Sequence, residues 1–450
     1  MTSYMAHELG NSESKGPARR GLSSFTKICL VISMWTVSFD VFGVINVGFA
    51  FRLSQICLLV PMGLVLVNPG AIRHRLPLGF WYLLLWAFSI GLFIPNTGYL
   101  LRSVGYFLWL VFDIMMIVTF VLVTRTKGIL LFVVKWYLGS FVFVASFGIL
   151  QFLFAVMHIG DLLVQQWWVP GVLPRVSGFS YEPSYFSTYL LTGWVCLVYL
   201  FEAGGLIWSR SQMVAAIIVV SVAMILSSSR MGIAMMVLWT VRYPAKLVAR
   251  MIRGRINLRL LKISAMVLSV VFLFIVWFFG ILRHRMFDLL LQGTGLYGTT
   301  AASVYGRLEA FQDVLRVFVK SPIVGYSLGG LSFAIAKLHG VRVGSLLEAK
   351  DFEGIGVIPQ VLAASGILGF VPFLVYLKHL LQRPLVLGRR LRHSLNGKLL
   401  EAFTWGLIYE LIILELNQNI LRLNLWMHIG VLSSIFAVSA RSKLGIDSIE

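Results

Sequence analysis

The feature that most restricts this chain is a succession of apolar runs, about 15 to 25 residues each, recurring along almost its whole length. About 20 apolar residues cross roughly 30 Å of hydrocarbon as a helix, the one form in which a single segment satisfies all its backbone polar groups internally. Closed barrels of strands need alternating polar and apolar residues, and these runs do not alternate. With 58% of residues hydrophobic, 12% charged and a mean hydropathy of +0.87, water is excluded as the main solvent. The sequence therefore predicts an all-α integral membrane protein, a polytopic helix bundle in a lipid bilayer.

Polar punctuation divides the chain into twelve expected spans, near Ile28–Val47, Phe49–Val67, Leu78–Ile94, Val104–Val123, Leu130–Val156, Tyr185–Phe201, Met213–Ser227, Met231–Leu247, Ile263–Leu282, Val357–Leu377, Ala402–Leu416 and Leu425–Ala440. Residues 1–24 read as a cytoplasmic tail, 25–282 as nine spans, 283–356 as a large external loop, 357–440 as three more spans, and 441–450 as a second cytoplasmic tail. The first span carries no cleavage pattern and reads as uncleaved. With both termini inside, the cytoplasmic connections hold Arg73, Arg75, Arg125, Lys127, Arg210 and the basic runs 242–262 and 378–398. About two dozen of the 38 Lys and Arg fall inside by this count. The net charge of +20 is thus mostly an orientation signal rather than a nucleic-acid surface, and no nucleic-acid partner is expected.

Two connections are long, 157–184 and 283–356, and both fall outside. The second contains Tyr305–Val319, where Leu308, Phe311, Leu315 and Phe318 share one helical face, which predicts an amphipathic helix at the membrane surface. The glycines of 291–298 and of Gly325–Gly330 read as loop turns. Cys29, Cys57 and Cys196 sit in apolar runs without ligand spacing, and the external His158, His284 and His339 are not paired, so no metal site is expected. A phosphate-cradling glycine loop with Lys is absent, and no cofactor is expected.

The external face collects the unusual residues. Arg175, Tyr181, Glu182 and Ser184 lie in RVSGFSYEPS, Ser229 and Arg230 in SSSRMG, Arg307 in YGRLEAF, and Arg422 between the last two spans. Several guanidinium groups on one surface suit a pyrophosphate leaving group, because Arg binds phosphate oxygens bidentately and stays charged. A nearby carboxylate suits a general base toward a hydroxyl. Each residue also has a plain structural reading. Arg230 at a span end is able to snorkel to the interface. Glu182 before Pro183 fits a helix N-terminus, and Arg307 suits a headgroup-facing helix. Asp40, Asp113, Glu410 and Glu415 lie in or near spans, where acids are costly. For Asp40 and Asp113, interhelical hydrogen bonding is the favoured reading, since no basic partner is evident.

Four pieces, RVSGFSYEPSYFS, SSSRMGI, GRLEAFQDVLRVFVKSPIVGYSLGG and ASGILGFVPFLVYL, in this order resemble the bacterial O-antigen polymerase and O-antigen ligase superfamily, membrane glycosyltransferases of the GT-C type. They cover Arg175–Leu377. The resemblance implies a bacterial inner-membrane enzyme that joins undecaprenyl-pyrophosphate-linked glycan donor and acceptor at the periplasmic face, with a chain-length regulator as a candidate partner. It implies that Arg175, Arg230 and Arg307 hold the donor pyrophosphate while Glu182 activates the acceptor. Tyr181, Ser184, Ser229 and Arg422 are then expected to contact substrate.

Ligases of this superfamily carry a His-Asn pair shortly before the span that ASGILGFVPFLVYL resembles, where this chain has Ile355 and Gly356. That departure favours a repeat-unit polymerase, with Asp351 and Glu353 just upstream as acceptor contacts. A ligase or related oligosaccharyltransferase, and a polytopic glycolipid transporter or flippase, remain the alternatives.

Overall fold

The computed structural model describes residues 22–46, 50–67, 76–124, 126–169, 171, 173–252, 299–343, 348–416 and 420–443, with six isolated positions between 258 and 269. Among these, thirteen α-helices form the protein: α1 (Ser24–Trp35), α2 (Leu53–Val67), α3 (Phe80–Leu92), α4 (Leu100–Val123), α5 (Lys127–Val156), α6 (Pro183–Ala203), α7 (Arg210–Leu226), α8 (Arg230–Ile252), α9 (Thr299–Lys320), α10 (Ser327–Leu338), α11 (Val357–Arg390), α12 (Leu395–Leu414) and α13 (Leu423–Lys443). Two short antiparallel hairpins, β1 (Val44–Asn46) with β2 (Ala50–Arg52) and β3 (Gln166–Val169) with β4 (Leu173–Arg175), complete it. Five helices, α4, α5, α6, α11 and α13, are long and apolar enough to cross a membrane.

Eleven of the twelve predicted runs hold a helix, and α9 and α10 lie in the predicted large loop. Of the ninth run only residues 265, 266 and 269 are described, and the loop segment 283–298, the first tail up to residue 21 and the end of the second tail fall outside the described residues.

One predicted span is corrected. Ile28–Val47 is not a continuous helix, because α1 stops at Trp35 and the chain from Val37 to Gly43 is non-helical before entering β1. Asp40 lies in that stretch, where a carboxylate needs polar partners that a lipid-facing helix cannot offer. Gly43 has a φ of 69°, turning the chain into the hairpin.

Packing runs along α12 with α6, α13 with α4, α11 with α3 and α12, and α1 with α2. Small residues set the close contacts, as expected where packing rather than hydrophobicity joins helices in lipid. A methyl group on Gly193 of α6 would collide with the Phe141 ring of α5.

The large loop is seated on the bundle by backbone interlocking. Helix α11 breaks at Gly366, whose φ of 58° and ψ of −172° are non-helical. The freed amides of Ile367 and Leu368 donate to the carbonyls of Pro322 and Ile323 at 2.8 and 3.1 Å, and Tyr326 N donates to Ala363 O at 3.1 Å. Gly325, at φ 71°, makes the turn that allows this.

Gly329 and Gly330 are not the loop turns expected. They lie in α10 against the head of α4, where a methyl on Gly329 would sit 2.5 Å from Arg102 O. The amphipathic pattern of α9 is also redistributed. Asp313, Val314 and Val317 are buried, Phe318 is partly so, and Leu308, Phe311 and Leu315 are exposed.

Candidate functional site

The segment from Arg175 to Ser184 is held in place from several sides. Arg175 ends β4, and opposite it in the register Gln166 accepts its guanidinium at 2.8 Å. Val176 N donates to Leu226 O at 3.3 Å. The fully buried Gln151 of α5 accepts from both Ser177 N and Gly178 N at 3.0 Å through its Oε1, while its Nε2 donates to Leu162 O at 2.7 Å. Gly178 has a φ of 56°, and a methyl there would meet the Phe186 ring at 2.7 Å, so this turn requires glycine. Phe179 stacks between Phe39 and Phe147, each at 3.9 Å, and its carbonyl accepts from Asp40 N and Val41 N.

Glu182 is the N-cap of α6, with Pro183 in the first turn. Its side chain makes no capping bond, and its Oε2 instead accepts from Ser184 Oγ at 2.9 Å. Tyr181 is 60% exposed beside it.

The SSSRMG segment has a local physical logic. Ser228 adopts a φ of 54°, and Ser229, buried, places its Oγ 3.5 Å from Gly232 N at the start of α8. Gly232 lies against Ser187 of α6 so closely that no Cβ fits. This contact fixes where the first residue of α8, Arg230, stands.

The charges of the two segments act on each other. Burial, then the Arg230 guanidinium, lower the pKa of Arg175 from its ordinary value, with Glu182 opposing them. Limited burial, then Arg307, lower that of Arg230. Both remain cationic at neutral pH, since Arg starts far above it. Arg307, exposed in the first half of α9, thus lies within electrostatic reach of Arg230, Arg230 of Arg175, and Arg175 of Glu182. Like charges gathered this way repel, and anion binding would relieve them.

A second charged cluster was not legible in the sequence. Asp40 is not an interhelical hydrogen-bonding residue without a basic partner. It pairs with Arg52 at 2.6 Å and with Arg422 at 3.2 Å. The Arg422 guanidinium lies over the Tyr185 ring at 3.8 Å. Tyr185 is also within electrostatic reach of Glu182, and its amide donates to the Glu182 carbonyl at 3.1 Å, so this cluster adjoins Glu182. Asp113 is buried in α4, within electrostatic reach of Arg52. Glu410 accepts from Asn424 at 2.8 Å, and Glu415 from the backbone of Ile358 at 2.9 Å, at the start of α11.

Glu353 belongs to a third group. It pairs with the buried Arg102 at 2.7 Å and accepts from Tyr106 at 2.9 Å, while Arg102 also donates to Ser332 of α10. This holds the start of α11 and the large loop to α4, and sequence reading missed Arg102 because it sits at the edge of an apolar run. Asp351 falls in the short 3-10 helix Glu348–Phe352, and its side chain lies outside the described residues.

The arrangement offers a carboxylate and hydroxyl beside a row of guanidinium groups, a chemistry able to hold a phosphorylated leaving group and accept a proton. No protein-family model and no curated protein matches the chain.

Proposed function

We propose that this chain is a bacterial inner-membrane glycosyltransferase that polymerises undecaprenyl-pyrophosphate-linked repeat units into O-antigen, capsular or exopolysaccharide. In this reading the fold is a twelve-span GT-C-type bundle with cytoplasmic termini, and the Arg-rich face is periplasmic. The observation that carries the reading is the electrostatic chain Arg307, Arg230, Arg175 and Glu182, drawn from three segments far apart in sequence.

An acceptor hydroxyl attacks the anomeric carbon of the donor sugar, the bond to the pyrophosphate oxygen breaks, and the hydroxyl proton passes to Glu182. Charge develops on the departing lipid pyrophosphate, where Arg175, Arg230 and Arg307 stabilise it. Ser184, bonded to Glu182, orients that carboxylate. The energy comes from the pyrophosphate linkage, so neither nucleotide sugar nor metal is required.

The interrupted helix α11 is the one feature among the described residues that favours a transporter, since such breaks line substrate sites in that class. Here, however, the freed amides at the break are occupied by the carbonyls of Pro322 and Ile323. The experiment is Arg230→Ala and Arg307→Ala in cells depleted of the native gene. The variants should insert normally and yield single repeat units without long chains, and normal chain-length ladders in both would reject the site. Deletion separates polymerase from ligase: a polymerase null still attaches one unit, whereas a ligase null accumulates carrier-linked polymer.

A further inference from the structure

A cleft whose walls include Asp40, Arg52, Ser180, Tyr185, Arg422 and Asn424 lies next to Glu182, whose carbonyl accepts from Tyr185 N. The cleft has room for one water or one carboxylate oxygen, so that only the carboxylate end of a ligand enters it and the rest stays outside. Two guanidinium groups line the cleft, and among the described residues the only carboxylate on its wall is Asp40. Arg52, Asp40 and Arg422 are mostly buried, with side-chain exposures of 24%, 6% and 17%. Charges so far from water persist only where close partners compensate them.

The positions are built rather than incidental. Asp40 is fixed by its backbone bond to Phe179 O, Arg52 by the β1–β2 register opposite Val44, and Arg422 by its stacking on Tyr185. Tyr181, exposed and next in sequence to Ser180 of the cleft wall, is within electrostatic reach of Arg52. Planar forked donors, an amide, hydroxyls and a neighbouring aromatic ring suit a pyranose bearing a carboxylate.

We propose that this cleft is an acceptor subsite specific for an acidic sugar, a uronic acid or other carboxylated pyranose, read by Arg52 and Arg422. The inference rests on the glycosyltransferase reading, and it supplies the substrate class: the sugar whose hydroxyl is presented to Glu182, or its neighbour, carries the negative charge. Asp40 holds the two guanidinium groups in place in the empty cleft and competes with the incoming carboxylate.

The test uses binding, which is independent of turnover. Purified full-length protein in detergent is titrated with methyl β-glucuronide, methyl β-glucoside and inorganic phosphate, followed by saturation-transfer NMR. The glucuronide should bind at least about tenfold tighter than the glucoside, the scale of a charge-assisted hydrogen bond pair. Arg52→Gln and Arg422→Gln should each erase that preference, Asp40→Asn should sharpen it, and Arg230→Gln should leave it intact. Equal binding of the two glycosides by the unaltered protein overturns the proposal whatever the variants do, and phosphate binding as tightly as the glucuronide overturns the sugar assignment. A glucuronide preference alongside normal chain ladders in Arg230→Ala would sink the donor site and keep this one.

Discussion

The ion pair between Arg102 and Glu353 should be asymmetric in its cost of removal. Arg102 is 4% exposed at its side chain and Glu353 33%, with 2.7 Å between them. At that distance the Coulomb attraction is about 6 kcal/mol for an effective dielectric constant near 20, most of which is offset by desolvation. Glu353→Ala strands a buried guanidinium that keeps, among the described residues, the hydroxyls of Tyr106 and Ser332 as hydrogen-bond partners and the rings of Tyr106 and Phe333 beside it, and should cost about 2 to 3 kcal/mol, below the full buried-pair penalty because Glu353 itself is partly hydrated. Arg102→Met replaces the charge by an apolar chain of similar length and leaves a carboxylate that water already reaches, so it should cost about 1 kcal/mol. The double variant should be no less stable than Glu353→Ala alone. Equilibrium unfolding in mixed micelles, followed by tryptophan fluorescence, measures all three. If Arg102→Met proves the costlier single change, or if the two effects simply add, burial of the Arg102 charge is not what makes this pair tie the large loop to α4.

Gln151→Leu keeps the volume of α5 but strands the amides of Ser177 and Gly178; it should cost about 2 to 4 kcal/mol and shorten polysaccharide chains while the protein still inserts. Gly366→Ala combines a strained positive φ with a clash against the Ile323 carbonyl, so recovery of inserted protein should collapse. Gly193→Ala should cost about 2 kcal/mol through overpacking on Phe141, and Phe141→Leu in the same chain should restore part of it, as read by thermal unfolding.

What the sequence determined by itself is the solvent and the local shape. Apolar runs such as Val104–Val123 and Leu130–Val156 leave the backbone no alternative to helix in hydrocarbon, and the helices Leu100–Val123 and Lys127–Val156 contain them. The punctuation also located the segments around Arg175 and Arg307, in the two long connections, and Arg230, at the short join between two runs. The break inside Ile28–Val47 was not legible, since hydropathy does not distinguish a lipid-facing helix from an apolar stretch packed under a loop. Tertiary structure alone decided the partners. Asp40 meets Arg422 across 382 positions of sequence, and Arg102 meets Glu353 across 251. Such pairs depend on which helices become neighbours, and a periodicity that shows which face of a helix is apolar carries no record of what lies opposite it.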